Sequence, residues 1–288
     1  MLMLDYAALE ALAAVISTGS FEGAAGRLHV TQPAISQRIK QLEERMGAVL
    51  IVRGTPCTGT ELGLRLARHA EAVALMEADL APHDAAPTVR IAVNADSLAT
   101  WVLPALAEVE GQLFDLVIDD QDHSADWLRR GEVVGAVTAS ATAVPGCDVT
   151  PLGSLRYFAT ASPAFVKRHF PQGITAQALA EAPAIVFNEK DRLQNDWARR
   201  ETGQSPALPQ HRIASSAGFV EASLLGMGWG MNPEQMVGRA ITAGRLVALS
   251  PEPLEVPLYW QSLRRLRAPL APLTRAIRKA AAQVLLQV

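Results

Sequence analysis

The run Thr31-Gln32-Pro33-Ala34-Ile35-Ser36-Gln37-Arg38-Ile39-Lys40-Gln41-Leu42-Glu43 carries residue types suited to reading a DNA duplex. At the helical period, Ala34, Ile35, Ile39 and Leu42 share an inward face, while Thr31, Gln32, Ser36, Gln37, Arg38 and Lys40 turn outward or toward its edge. Glutamine amides pair bidentately with adenine, and Ser or Thr hydroxyls meet bases or phosphates. Arg38, Lys40 and the later Arg53 suit phosphates, and the positive end of a helix opened by Thr31 adds to their pull. Pro33 falls in the first turn, where its missing N–H costs nothing. The same side chains also make an ordinary solvated helix face. Charge does not decide between the two, because residues 1–60 carry five basic and five acidic side chains.

A second set suits a small charged ligand. Asn94, Ser97 and Thr100 lie where a predicted strand meets its helix, and hydroxyls and N–H groups at a helix start suit a carboxylate. Asp119, Asp120 and Asp122 follow the next predicted strand, placed to pair with an ammonium or guanidinium group, and Thr138 ends the third. Trp101 and Phe219 are candidates to cover an aliphatic stem. Asn188, Glu189 and Asp191 follow a later strand, and Ser215-Ser216 start a helix, as candidates for the closing half of a pocket. Plainer roles stand beside these: Ser97 and Ser216 as helix caps, Trp101 as core, and the aspartates as a solvated turn.

Catalytic patterns are missing. Cys57 and Cys147 fall in different predicted domains. His29, His69, His83, His123, His169 and His211 are scattered without metal-ligand spacing. There is no Gly-x-Ser-x-Gly elbow beside the adjacent Asp122-His123, no Walker loop and no Gly-x-Gly-x-x-Gly after a strand. The expectation is a protein that is not an enzyme and has no cofactor or metal.

These groups need elements to hold them. Residues 1–60 read as short helices: one capped by Asp5 with Leu9, Leu12, Ala13 and Ile16 on one face, one capped by Ser20 over Phe21–Leu28, and a third capped by Thr31 and running to Met46. Gly19 and Gly47 are the stops. Val49–Arg53 then reads as a strand and Gly54–Gly59 as a turn, the makings of a wing. Helix, short break and helix with small residues at the crossing is the helix-turn-helix pattern. Residues 61–81 predict a long amphipathic helix whose stripe Leu62, Leu66, Ala70, Val73, Glu77 and Leu80 finds too few partners in its own chain, so a second chain is expected to cover it. Pro82–Pro87 reads as a linker, giving a linker region of 61–87. Residues 88–288 alternate strands and helices: Val89–Val93, a helix Leu98–Val109 containing Pro104, Leu116–Ile118, a helix near Ser124–Arg130 and Val133–Val137 predict a βαβαβ unit with a parallel sheet. A second lobe starts near Leu155 and holds Ala184–Phe187, helices Asp191–Thr202 and Ser216–Leu225, returning strands Leu246–Leu249 and Leu258–Trp260, and a last helix Pro269–Leu286. Two such lobes place a ligand in the crevice between them.

Composition agrees with an ordinary folded chain of two or three domains: 288 residues, 49% hydrophobic, 19% charged and net charge −3. The mild acidity means that any nucleic-acid contact comes from a local patch. The first twenty residues lack a basic start and carry Asp5 and Glu10, and no run of about 18 uncharged apolar residues occurs, so no targeting segment or transmembrane helix is expected. The expected location is the cytoplasm.

Phe21–Arg53 closely resembles the winged helix-turn-helix of LysR-type transcriptional regulators, and the resemblance extends over the whole chain. It is closest to the ArgP/LysG branch, through Val30–Glu43, Val52-Arg53 with Pro56-Cys57, Ala92–Trp101 and Leu128–Val137. The resemblance implies an α+β multidomain chain: a winged helix-turn-helix, a long linker helix and a two-lobed α/β effector domain like a periplasmic binding protein. It implies double-stranded DNA and free lysine or arginine as partners, a dimer of dimers, contact with RNA polymerase, no membrane partner, and activation of a basic-amino-acid exporter gene. Thr58-Gly59-Thr60 departs from the family, whose wing often carries a second basic residue after the cysteine; one phosphate contact is thereby weakened. Two other readings use the same residues: a LysR-type regulator of another small molecule, and a solute-binding protein, which would leave residues 1–81 without a purpose.

Overall fold

The computed structural model describes residues 4–77, 86–119 and 124–287. The first helix, α1 (Tyr6–Thr18), opens on the Asp5 carboxylate, which accepts from the Ala7 and Ala8 N–H groups, and closes at Gly19 with φ 71°. In α2 (Phe21–Arg27) the Ser20 hydroxyl accepts from Gly23 N–H at 2.9 Å. Helix α3 (Gln32–Met46) starts at Thr31 as expected, but the Thr31 side chain makes no capping bond. Pro33 at the second helical position has no N–H to donate to it. Ile35, Ile39 and Leu42 of α3 are buried with Leu9, Leu12 and Val15 of α1 and Ala24 and Ala25 of α2. Two short antiparallel strands, β1 (Ile51–Val52) and β2 (Thr58–Gly59), form the wing. The Glu43 carboxylate ties it to α3 by accepting from the N–H groups of Leu50 and Ile51.

Helix α4 (Glu61–Glu77) begins where the Thr60 hydroxyl accepts from Gly63 N–H. Gly63 allows a close approach, since a Cβ there would stand 2.0 Å from the Leu50 carbonyl oxygen. The expected apolar stripe is not left for a second chain over its whole length. Leu66 is buried in the N-terminal core, with Leu62 and Ala70 packed against it, while Ala72 and Leu75 join the core of the C-terminal domain. Leu64 and Met76 remain exposed. Leu80 and most of the Pro82–Pro87 segment lie outside the described residues.

The C-terminal region opens with β3 (Thr88–Val93), α5 (Ala95–Ser97), a π-helical turn at Leu98–Val102, α6 (Leu103–Ala107), β4 (Leu113–Ile118), α7 (Ser124–Arg129) and β5 (Gly135–Thr138). Strands β4 and β5 flank β3 in parallel, as the βαβαβ reading requires. The helix expected over Leu98–Val109 runs unbroken in backbone conformation from Ala95 to Ala107, with a π-helical turn inside it. Pro104 cannot donate to the preceding turn, and the wider π turn carries the chain past it. The 15-residue strand β6 (Cys147–Ala161) follows, then α8 (Pro163–His169), α9 (Ala176–Glu181), β7 (Ala184–Val186), α10 (Leu193–Thr202), β8 (Gln210–Arg212), α11 (Ser216–Leu224), β9 (Gly230–Pro233), α12 (Glu234–Thr242), β10 (Val247–Ala248), β11 (Leu254–Leu263) and α13 (Ala271–Val284). The large sheet runs β10-β6-β11-β5-β3-β4, with β9 also on β6. Strands β6 and β11 pair antiparallel along most of their length. One end of β11 joins β5 of the first lobe, and β6 joins β9 and β10 of the second. These two long strands therefore connect the lobes. Strands β7 and β8 pair in parallel within the second lobe.

Candidate effector pocket and DNA-binding helix

A cleft lies between the lobes. Asn94, Asp96 and Asp119 line it from the ends of β3 and β4; Phe187, Asp191, Ser216, Phe219 and Asn232 line it from the second lobe. Its position is set by the sheet, because loops that leave parallel strands at their carboxyl ends converge there.

Asp96 is the central group. Asn94 caps the turn that carries it, accepting from Ser97 N–H at 3.1 Å. One Asp96 oxygen accepts from the Ser216 hydroxyl at 2.7 Å and the other from the Tyr157 hydroxyl at 2.9 Å. Desolvation pushes the Asp96 carboxyl above the ordinary carboxylate range; the two hydroxyls oppose this and the charge of Asp191 adds to it. Among the described residues no cation forms an ion pair with Asp96. Asp119 differs: it accepts from Trp127 Nε1 at 2.9 Å and stands 3.5 Å from Lys190 Nζ across the cleft. Asp191 holds its own loop, accepting from the N–H groups of Phe187 and Leu193. Asn232 is fully buried; its amide N–H groups reach Thr160 Oγ1 and the Gly230 carbonyl, while its Oδ1 meets no donor.

Of the residues singled out from the sequence, Asn94, Asp119, Asp191, Ser216 and Phe219 line the cavity. Ser215 caps α11, which leaves the Ser216 hydroxyl for Asp96. Ser97 is wholly buried, and Thr100 donates back to the Asp96 carbonyl at 2.6 Å. Trp101 belongs to the hydrophobic core. Thr138 is buried against Gln261 and Ser140. Asn188 accepts from the N–H groups of Lys190 and Asp191, shaping the loop. Asp120 and Asp122 lie outside the described residues. Asp96, Tyr157 and Asn232 were not among the expected ligand contacts. Asp96 sits two residues after Asn94, so a strand-to-helix turn was the available signal for it; Tyr157 and Asn232 come from distant strands and carry none.

At the other end of the molecule, Thr31, Gln32, Pro33, Gln37 and Lys40 of the α3 region are exposed, with Ser36 and Arg38 half-buried. Lys40 stands 3.8 Å from Glu44, a weak surface pair. Arg53 is exposed on the wing, its guanidinium 5.4 Å from the Phe21 ring centre. Ser20 is spent on capping α2. The sharp turn before α3 places His29 at φ 52°.

The N-terminal residues 6–64 match the family described as bacterial regulatory helix-turn-helix protein, lysR family, and residues 82–286 match the LysR substrate binding domain. The chain is a LysR-type transcriptional regulator. It is of the LysG/ArgP type. This LysR-type regulator is 43% identical to the transcriptional regulator LysG of Mycobacterium tuberculosis over 284 residues, covering 96% of the chain and 94% of that protein. Its fold matches the crystal structure of ArgP from Mycobacterium tuberculosis with a TM-score of 0.85 at 42% identity, over 99% of this chain and 100% of that one. It also matches full-length LysG from Corynebacterium glutamicum with bound effector Arg, with a TM-score of 0.71 at 35% identity, again over 99% and 100%. LysR-type regulators bind DNA and small-molecule effectors and are not enzymes. Among the described residues of this one, Cys57 and Cys147 are free and buried, no group of three ligands could hold a metal, and no helix is long and apolar enough to cross a membrane.

Proposed function

We propose that the effector is a basic amino acid, arginine or lysine, held in the interlobe cavity with its cationic group at Asp96. The supporting observation is a desolvated carboxylate that two neutral hydroxyls orient and no cation neutralises. Burying such a charge is costly unless a partner arrives, and a guanidinium or ammonium is that partner. Asp119 and Asp191 add negative potential, and the apolar faces of Phe187 and Phe219 suit a methylene stem. The polar turn at Asn94 and the start of α11 suit the α-carboxylate. The arginine bound to the Corynebacterium glutamicum relative supports the same class of ligand.

In this reading residues 1–60 form the DNA-binding head, 61–87 the linker and 88–288 the effector domain. Gln32, Ser36 and Gln37 read the major groove, while Thr31, Arg38, Lys40 and Arg53 hold phosphates. Paired α4 helices place two heads on a near-palindromic site, and effector domains pair further into a dimer of dimers. The amino acid shifts the balance between assemblies that bend DNA differently, through a coupling of about 1–3 kcal/mol. Contact with RNA polymerase and control of a basic-amino-acid exporter gene rest on the LysG/ArgP resemblance alone.

Calorimetry with arginine, lysine and citrulline tests the effector. Citrulline keeps the shape of arginine without its charge. Heat from either basic amino acid and none from citrulline is expected; equal binding of citrulline would contradict the role of charge, and silence from both basic ligands would remove this effector class.

A further inference from the structure

The segment Leu128–Val137 marks the branch in the sequence, yet the pocket uses none of it. Its structure joins two parts of the molecule. Trp127, at the end of α7, donates from Nε1 to Asp119 at 2.9 Å. The Arg130 guanidinium lies 4.6 Å from the Trp127 ring centre, and its Nε donates to Glu132 at 2.6 Å. Glu132 N–H returns to the Trp127 carbonyl at 2.9 Å, closing a tight turn through Gly131 at φ 64°. Against this turn stands Arg68 of α4, its Nε only 3.8 Å from where a Gly131 Cβ would be. Glu132 offsets the desolvation of Arg68. One indole thus touches a pocket carboxylate by its edge and, by its face, a turn packed on the linker helix.

We propose that Trp127 is a positioning residue that sets Asp119 for the effector and transmits its position, through Arg130 and the Gly131-Glu132 turn, to Arg68 on α4. This rests on the basic-amino-acid reading of the pocket. Lys190 reaches Asp119 from the opposite lobe, so movement of the lobes acts on the same carboxylate. The indole N–H sets the orientation of Asp119, and Arg68 is the only link of this series that belongs to the linker helix.

The test uses the full chain, a promoter fragment and L-arginine. Arg68→Met should leave the arginine Kd within about twofold, while the arginine-dependent change in DNA affinity, about 5- to 150-fold where such coupling operates, falls toward one. Trp127→Phe keeps a ring under Arg130 but removes the N–H, and should weaken arginine binding about tenfold. It should also abolish the arginine-induced change in tryptophan emission, because Trp101, Trp197, Trp229 and Trp260 are sealed in the core. Retained effector dependence in Arg68→Met, or Trp127→Phe with the original Kd and emission response, would overturn the inference while leaving the effector reading intact. No arginine or lysine binding by the unaltered protein would remove the effector reading, and this inference with it.

Discussion

Replacing Asp96 by Asn separates the charge of the pocket from its shape. The amide keeps one carbonyl acceptor for Ser216 or Tyr157, and a hydroxyl can rotate to accept from the new N–H₂. What disappears is the negative charge. Losing one partner of a desolvated charge pair costs about 2–5 kcal/mol of binding, so arginine should bind on the order of 100-fold more weakly. At an arginine concentration 100 times the original Kd, ligand stabilisation of the fold should fall from about 2.7 to about 0.4 kcal/mol. The free protein should respond in the opposite sense. A carboxyl whose folded pKa is raised favours its protonated form, so its contribution to stability is fully present below the unfolded pKa and is lost as pH rises through the folded pKa. Above that folded value the ionised Asp96 is therefore a burden, and there D96N should melt at or above the temperature of the unaltered chain. Differential scanning fluorimetry with and without arginine, beside calorimetry, reads both effects. An unchanged arginine Kd, or a D96N protein that melts several degrees lower without ligand, would refute the reasoning.

Arginine affinity should also depend on pH: it should weaken as pH falls through the raised Asp96 value, at a higher pH than an ordinary carboxylate would give, and D96N should flatten that profile in calorimetric titrations. Changing Gln32, Ser36 and Arg38 together to Ala should abolish promoter-fragment binding in fluorescence anisotropy while leaving arginine binding intact, since each base contact is worth about 1–3 kcal/mol. R53M should lower the slope of log affinity against log salt by about one, the signature of a single phosphate contact. Gly63→Ala should destabilise the junction of wing and α4 by about 1–3 kcal/mol in chemical denaturation, because its Cβ would meet the backbone oxygen of Leu50.

Local signals carried much of this architecture. Asp5, Ser20, Gly19 and Gly47 act where their types suggest, because caps and stops depend on the adjoining turn alone. Parallel β3, β4 and β5 were legible from apolar runs separated by helix-length segments. The strand β6 was not: its 15 residues alternate irregularly through Thr150, Pro151 and Gly153, and pairing with β11 and β10 along one edge and β9 along the other holds them extended. The pocket followed the same division. Asn94 and Ser216 were found from their places beside a strand or helix, whereas Tyr157 and Asn232 reach the site through sheet pairings distant in sequence. Asp96 carries no such distinguishing signal, because a carboxylate in the first turn of a helix is already accounted for by the helix dipole.

The central claim is that the interlobe cleft holds a cationic amino acid against Asp96. A crystal structure of the full-length protein grown with saturating L-arginine tests it most directly. The account predicts density between the lobes with the guanidinium within about 3 Å of the Asp96 carboxylate, the spacing of a charge-assisted hydrogen bond. Arginine bound elsewhere, or with its carboxylate rather than its guanidinium turned toward Asp96, would contradict it.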